Sequence, residues 1–161
     1  IISGLVGSEM CIRDRLKDVP IIKINEEEAI GRGVMALYDI YDESFVAVST
    51  GPGTACIHHS EGKFNYLGGI SVGGGTLQGL SKYLITTGNA KDIEELAIKG
   101  DRKKLDFLIG DVVNEVGSLN QDITASNFGK AKNNKNNSKE DTAASLSNMI
   151  GEVIGLSLIH I

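Results

Sequence analysis

Eight of the 20 glycines in this 161-residue chain fall between Gly51 and Gly75, and that clustering limits what the middle of the chain can become. Glycine gives up more backbone entropy on folding than any other residue, so a cluster marks places where the backbone must bend sharply or be approached closely. Short β-rich runs lie among these glycines: FVAVS (45–49), TACIHH (54–59) and KFNYL (63–67). Ser60-Glu61-Gly62 is a hairpin signal, and Gly51-Pro52-Gly53 turns the chain between the first two runs. The expected unit is an antiparallel three-strand meander with glycine turns after its first and third strands.

Helices flank the meander. Ile21 to Ile24 reads as a short strand, and Glu26, Glu27 and Glu28 then open a helix, because acids in a first turn suit the helix dipole. Ala29, Ile30, Val34, Leu37 and Tyr38 follow helical spacing. Gly31 and Gly33 sit inside it at a cost of roughly 1 kcal/mol each against alanine, which close packing on another element would explain. Beyond the meander, Thr76–Thr86 groups Leu77, Leu80 and Leu84. Asn89 with Asp92 resembles a cap for a helix through Lys99 that Gly100 ends. Asp101–Val113 groups Leu105, Leu108, Ile109 and Val112 on one helical face. Residues 130–140 are a low-complexity polar loop. Ser138 with Asp141 resembles a cap, and Leu146, Met149, Ile150 and Val153 form the stripe of a last helix. Strands followed by helices predict an α/β chain of mixed α+β layering.

Composition excludes some classes. Hydrophobic residues make up 41% and charged residues 23%, the balance of a globular domain. A net charge of -5 gives no electrostatic case for nucleic acid. No uninterrupted apolar run approaches about 18 residues, so no membrane span is expected. Cys11 and Cys56, without a secretory pattern, read as free thiols in a reducing, cytoplasmic compartment. The strings SEMCIRDR (8–15) and LSLIHI (156–161) resemble translated sequencing-adapter read-through. Residues 1–15 and 156–161 are therefore expected to be a non-native head and tail around a natural segment, 16–155.

Three clusters bear on chemistry. Ser49-Thr50-Gly51-Pro52-Gly53-Thr54 is a glycine turn whose amides can converge on an anion, with Thr54 adding a hydroxyl; it also reads as a plain hairpin. Gly68-Gly69-Ile70-Ser71-Val72-Gly73-Gly74-Gly75-Thr76 runs from a strand into a helix. A helix start offers unpaired amides and a positive dipole end to a phosphate. No GK[ST] follows, so it is not a Walker A loop, and the preceding meander argues against a dinucleotide fingerprint. The acids at 26–28 could supply a base that orients a hydroxyl and takes its proton, or could simply favour the helix start. His58 and His59 are adjacent on a strand and face opposite sides, which argues against a metal site. Cys56 reads as core. Asp122–Gly129 groups small polar side chains around a lone Phe, with no chemistry legible from spacing.

Taken in order, these strings resemble type II pantothenate kinase over roughly Ile24 to Gly155. The likeness rests on NEEEAIGRG (25–33), VSTGPGT (48–54), LGGISVGGGTLQGL (67–80), Lys99-Gly100-Asp101-Arg102 and DITASNFG (122–129). It implies part of an actin/hexokinase-like fold: the end of an N-terminal lobe and the start of a C-terminal lobe, over 16–155. It implies transfer of the γ-phosphoryl of ATP to the primary hydroxyl of pantothenate, opening coenzyme A synthesis, with Mg²⁺ neutralising phosphate charge and a homodimer as the assembly. Glu26 matches the catalytic carboxylate, seven residues before Gly33, with Glu27 as fallback. Gly51, Gly53 and Thr54 would lie beside pantothenate and the transferring phosphoryl. Gly73, Gly74, Gly75, Thr76, Leu77 and Gln78 would line the phosphate side of the nucleotide.

Two departures stand out. Pro52 replaces a usual Ser or Thr, and Tyr66 stands where many members carry a substrate-contacting Arg. The family's N-terminal glycine-rich phosphate loop and its C-terminal adenosine segment are not in the string, so this piece alone is expected to be inactive. A kinase of the same superfamily acting on another small alcohol, and a non-catalytic nucleotide- or acyl-CoA-binding protein, are the alternatives.

Overall fold

The computed structural model describes residues 24–113, 120–133 and 137–161. The expected head (1–15) and the expected strand at 21–24, save Ile24, lie outside the described residues. Helix α1 (Glu26–Tyr38) begins with its three glutamates and ends where Asp39 adopts φ 56, a left-handed cap. Strands β1 (Phe45–Thr50), β2 (Thr54–Ser60) and β3 (Lys63–Ile70) form an antiparallel sheet in the order β1-β2-β3. Glu61 and Gly62 both take positive φ between β2 and β3, the backbone that lets a tight hairpin follow the strand twist.

Side-chain size is graded along one face of this sheet. The pairing aligns Phe45, His59 and Phe64 in one rung and Ser49, Ala55 and Gly69 in a rung at the other end. The large rung is a stack: the His59 ring lies 5.0 Å from Phe45 and 4.9 Å from Phe64. Buried His59 also pairs a ring nitrogen with the Glu43 carbonyl at 2.9 Å. Helix α1 sits on this face with Gly31 buried against Phe64, as its sequence position led us to expect. Gly33 meets nothing within 4 Å, so the packing explanation holds for one of the two glycines. At the small rung nothing fills the space beneath α1, and a hollow remains.

Helices α2 (Gly74–Leu84), α3 (Ala90–Lys99) and α5 (Lys139–His160) pack together. Ile85, Ile93 and Ala143 are their buried centre, flanked by Leu77, Leu96 and Ala97. Asn89 accepts from the Lys91 and Asp92 amides at 2.9 and 3.3 Å, and Ser138 accepts from the Asp141 amide at 3.0 Å. Both caps are as expected. Helix α5 passes through Gly155 to His160, so the described residues of the expected tail continue it. By length and composition α5 could cross a membrane, although no long apolar run was evident in the sequence. Its polar residues explain the difference: Ser145, Asn148 and Glu152 turn inward to hydrogen-bond with Asp106 and Thr124.

The continuous helix expected over 101–113 does not form. A 3-10 turn (Arg102–Lys104), strand β4 (Phe107–Leu108) and a single turn α4 (Ile109–Val112) take its place. Leu105 and Leu108 are buried, but Val112 is 56% exposed. Tertiary partners override the helical pattern. Fully buried Asp106 accepts from the Phe128 amide at 2.8 Å and from the Ser145 hydroxyl, and β4 pairs with β5 (Thr124–Ser126). Arg102 donates to Thr124 Oγ1 at 2.8 Å and to the Asp122 carbonyl at 2.7 Å. Glu152 accepts from Thr124 at 2.5 Å and from Asn127 at 3.2 Å. The Asp122–Gly129 string is thus one short strand and the turn after it, held by a polar network.

Two carboxyls record that network. Burial alone would raise Glu152, but the hydrogen bonds from Thr124, Asn127 and Asn148 and the Arg102 charge outweigh it and hold the group below its ordinary 4.5. The Asp101 amide, then Ser138 and Lys104, hold Asp141 below 3.8 against the opposing effect of burial. The folded chain therefore releases these protons more readily than the unfolded chain does. Their stabilisation is complete above about pH 4.5 and is lost as pH falls through the lowered folded values. The thermal midpoint should decline on acidification below about pH 4.5, and less steeply in Glu152→Gln. Calorimetry across this range checks it. Gly31→Ala should destabilise by about 1–2 kcal/mol through overpacking on Phe64, whereas Gly33→Ala should stabilise by up to about 1 kcal/mol. Urea unfolding of the pair distinguishes the two glycines.

Candidate functional site

The β1–β2 turn and the start of α2 come from segments about twenty residues apart, yet their backbones touch. The Gly75 amide donates to the Gly51 carbonyl at 3.3 Å, and the Thr54 hydroxyl donates to the Val72 carbonyl at 2.8 Å. Only missing side chains permit this approach. A Cβ on Gly73 would lie 2.5 Å from the Gly53 oxygen, and one on Gly75 would lie 2.9 Å from the Pro52 Cα. Gly73 is the N-cap of α2, its amide donating to the Thr76 hydroxyl at 3.3 Å. Among the described residues, the Gly74 and Thr76 amides have no acceptor, so the helix start retains donors.

Two cavities flank the paired bends. One, of about 420 Å³, is the hollow under α1: its floor is Ser49, Ala55 and Gly69, its roof Glu26 and Ile30, and Tyr66 stands at its side. The other, of about 600 Å³, opens between the start of α2 and helix α3; Gly74, Gly75, Leu77 and Gln78 form one wall, and Ile93 and Glu94 face them. Gly51 and Pro52 line both cavities, so a single turn is the partition between them.

Glu26 is separated from its neighbours by its contacts. Glu27 accepts from the Asn25 side chain at 3.0 Å, and Glu28 pairs with Arg32 at 2.7 Å. Among the described residues Glu26 has no such partner, and it alone of the three lines a cavity.

A model of the Fumble family matches residues 25–159. The chain belongs to the Fumble family. It is 37% identical over 141 residues to a type II pantothenate kinase of Bacillus cereus (strain G9842), covering 83% of this chain and 51% of that relative. It is 36% identical over 141 residues to the type II pantothenate kinase of Bacillus anthracis, covering 83% and 50%. The type II pantothenate kinase of Oceanobacillus iheyensis is 34% identical over 111 residues, covering 68% of this chain and 41% of the relative. The chain spans about half the length of the curated relatives it matches first.

In this Fumble chain the expected residues fall into three groups. Glu26, Gly51, Gly53 and Thr54 border the smaller cavity, and Gly74, Gly75, Leu77 and Gln78 border the larger. Gly73 is buried against Gly53 and lines neither. Thr54, expected to add a hydroxyl donor to the turn, directs that proton to the Val72 carbonyl, and Thr76, expected to line the phosphate side, directs its own to the Ser71 carbonyl, so both hydroxyls brace the bends. His58 and His59 face opposite sides as expected, His58 meeting the Ser44 hydroxyl at 3.1 Å. Sequence reasoning placed Ser49 in the turn string without a role of its own and missed Glu94. Ser49 could have been found as the small member of a rung once the register was known. Glu94 follows Ile93 on the inward stripe of α3.

Gly73→Ala should push the bends apart, since Gly53 backbone atoms cannot swing away as a side chain could. The expected loss is about 1–3 kcal/mol of stability, which urea unfolding of the variant checks.

Proposed function

We propose that this chain is the central part of an ATP-dependent kinase that phosphorylates the primary hydroxyl of pantothenate, the first step of coenzyme A synthesis. The observation that carries the reading is the shared partition: one glycine turn separates a cavity roofed by a carboxylate with no partner among the described residues from a cavity bordered by a helix start. The names of the relatives support the same reading. So does the succession of meander and helices, which suits part of an actin/hexokinase-like fold; a homodimer is proposed on the family resemblance alone.

The chemistry follows from the two environments. ATP would occupy the larger cavity with its phosphates toward the start of α2, where the Gly74 amide and the helix dipole favour negative charge. The alcohol would occupy the smaller cavity with its hydroxyl near Glu26. Glu26 accepts the hydroxyl proton as the alcohol oxygen bonds to the γ-phosphorus. The bond from phosphorus to the bridging oxygen breaks, ADP departs, and Glu26 returns its proton to water. Pro52 has no amide hydrogen and no hydroxyl, so the partition supplies shape at that position and no donor.

Among the described residues no group of three or more His, Cys, Asp or Glu side chains converges. They form no all-protein cage for Mg²⁺, which would be held chiefly by the nucleotide phosphates and would neutralise their charge. Glu26→Gln in the full-length protein should lower kcat for pantothenate about 10²–10⁴-fold while ATP binding persists. Unchanged turnover in a coupled ADP-release assay would remove Glu26 from the role of base.

A further inference from the structure

We propose that Tyr66 selects an uncharged acceptor: the cavity under α1 takes the amide form of a pantothenate-like alcohol in preference to the free acid. This inference rests on the reading that the smaller cavity holds the acceptor alcohol. Pantothenate carries its primary hydroxyl at one end and a carboxylate at the other. The lining of the cavity is unsuited to the second charge. Its one ionisable carboxylate is Glu26, its hydroxyls belong to Ser49, Thr54, Ser71 and Tyr66, and none of its described lining residues is Lys, Arg or His. The cation on the same helix, Arg32, is engaged elsewhere: it pairs with Glu28 at 2.7 Å and lies 5.7 Å from the centre of the Phe64 ring, at the large-rung end.

A carboxylate at the far end of the alcohol finds no compensating cation among the described lining residues. An amide at the same place needs one donor and one acceptor, and a phenol offers both. Tyr66 is placed to do so. It is 53% exposed, and its hydroxyl reaches over Gly69, 2.5 Å from where a Cβ at that position would stand. The absence of a side chain at Gly69 is what lets the phenol turn over the small rung. Among the described residues no hydrogen-bond partner satisfies it.

The test compares kcat/KM for pantothenate and for pantetheine, which keeps the same alcohol and replaces the carboxylate by an amide, in the full-length protein with ATP. The unmodified protein should favour pantetheine by about tenfold. Tyr66→Arg should reverse that ratio by at least about tenfold, chiefly through a lower KM for pantothenate. Tyr66→Lys serves the same purpose should the arginine variant fail to fold. A preference of the unmodified protein for pantothenate overturns the inference, as does a ratio unmoved by a cation at position 66. In those cases the kinase reading stands, because both alcohols are phosphorylated. Turnover of neither alcohol overturns the kinase reading and this inference with it.

Discussion

The contact on which the rest depends is the seating of one backbone bend on another. The Gly51 carbonyl accepts from the Gly75 amide, and Thr54 reaches across to the Val72 carbonyl. Neither bond is unusual in strength; a net contribution of about 1 kcal/mol each is ordinary. Their importance is positional. They fix the end of the sheet against the start of a helix, and in doing so set a two-residue partition between two cavities. A wider separation would merge the cavities or leave them unrelated.

The smaller cavity comes from a gradient in side-chain volume rather than from any specialised loop. Phe45, His59 and Phe64 fill the space beneath α1 at one end of the sheet, and Ser49, Ala55 and Gly69 leave it open at the other. The stack also anchors the helix, since Gly31 allows it to approach the ring of Phe64. Glu26 lies one and a half turns before that anchor, so the helix holds it at the open end. Packing at the filled end and chemistry at the open end are two consequences of one register.

Much of the fold was legible from local signals. The meander, the caps at Asn89 and Ser138, and the glycine-led helix at 74 all follow from period, turn residues and capping chemistry, which act over a few neighbouring positions. The candidate site was partly legible for the same reason, because glycine clusters announce close backbone approach without naming the partner. The failures occur where distant residues compete with local pattern. Spacing at Leu105, Leu108, Ile109 and Val112 satisfied a helix, yet Asp106 is fixed by Phe128 and Ser145, 22 and 39 residues away. Thr54 reads in sequence as a free hydroxyl donor, yet its acceptor is the Val72 carbonyl, 18 residues away.

By itself the amino-acid order determined that bends of bare backbone would stand beside a β meander and at a helix start, with acids opening the helix before them. It could do so because turn geometry and helix electrostatics are decided within a few residues. Tertiary structure alone decided which bends meet, which of three glutamates faces a cavity, and which hydroxyls are already taken. Those outcomes depend on strand register and on hydrogen-bond partners far along the chain, and no local pattern encodes them.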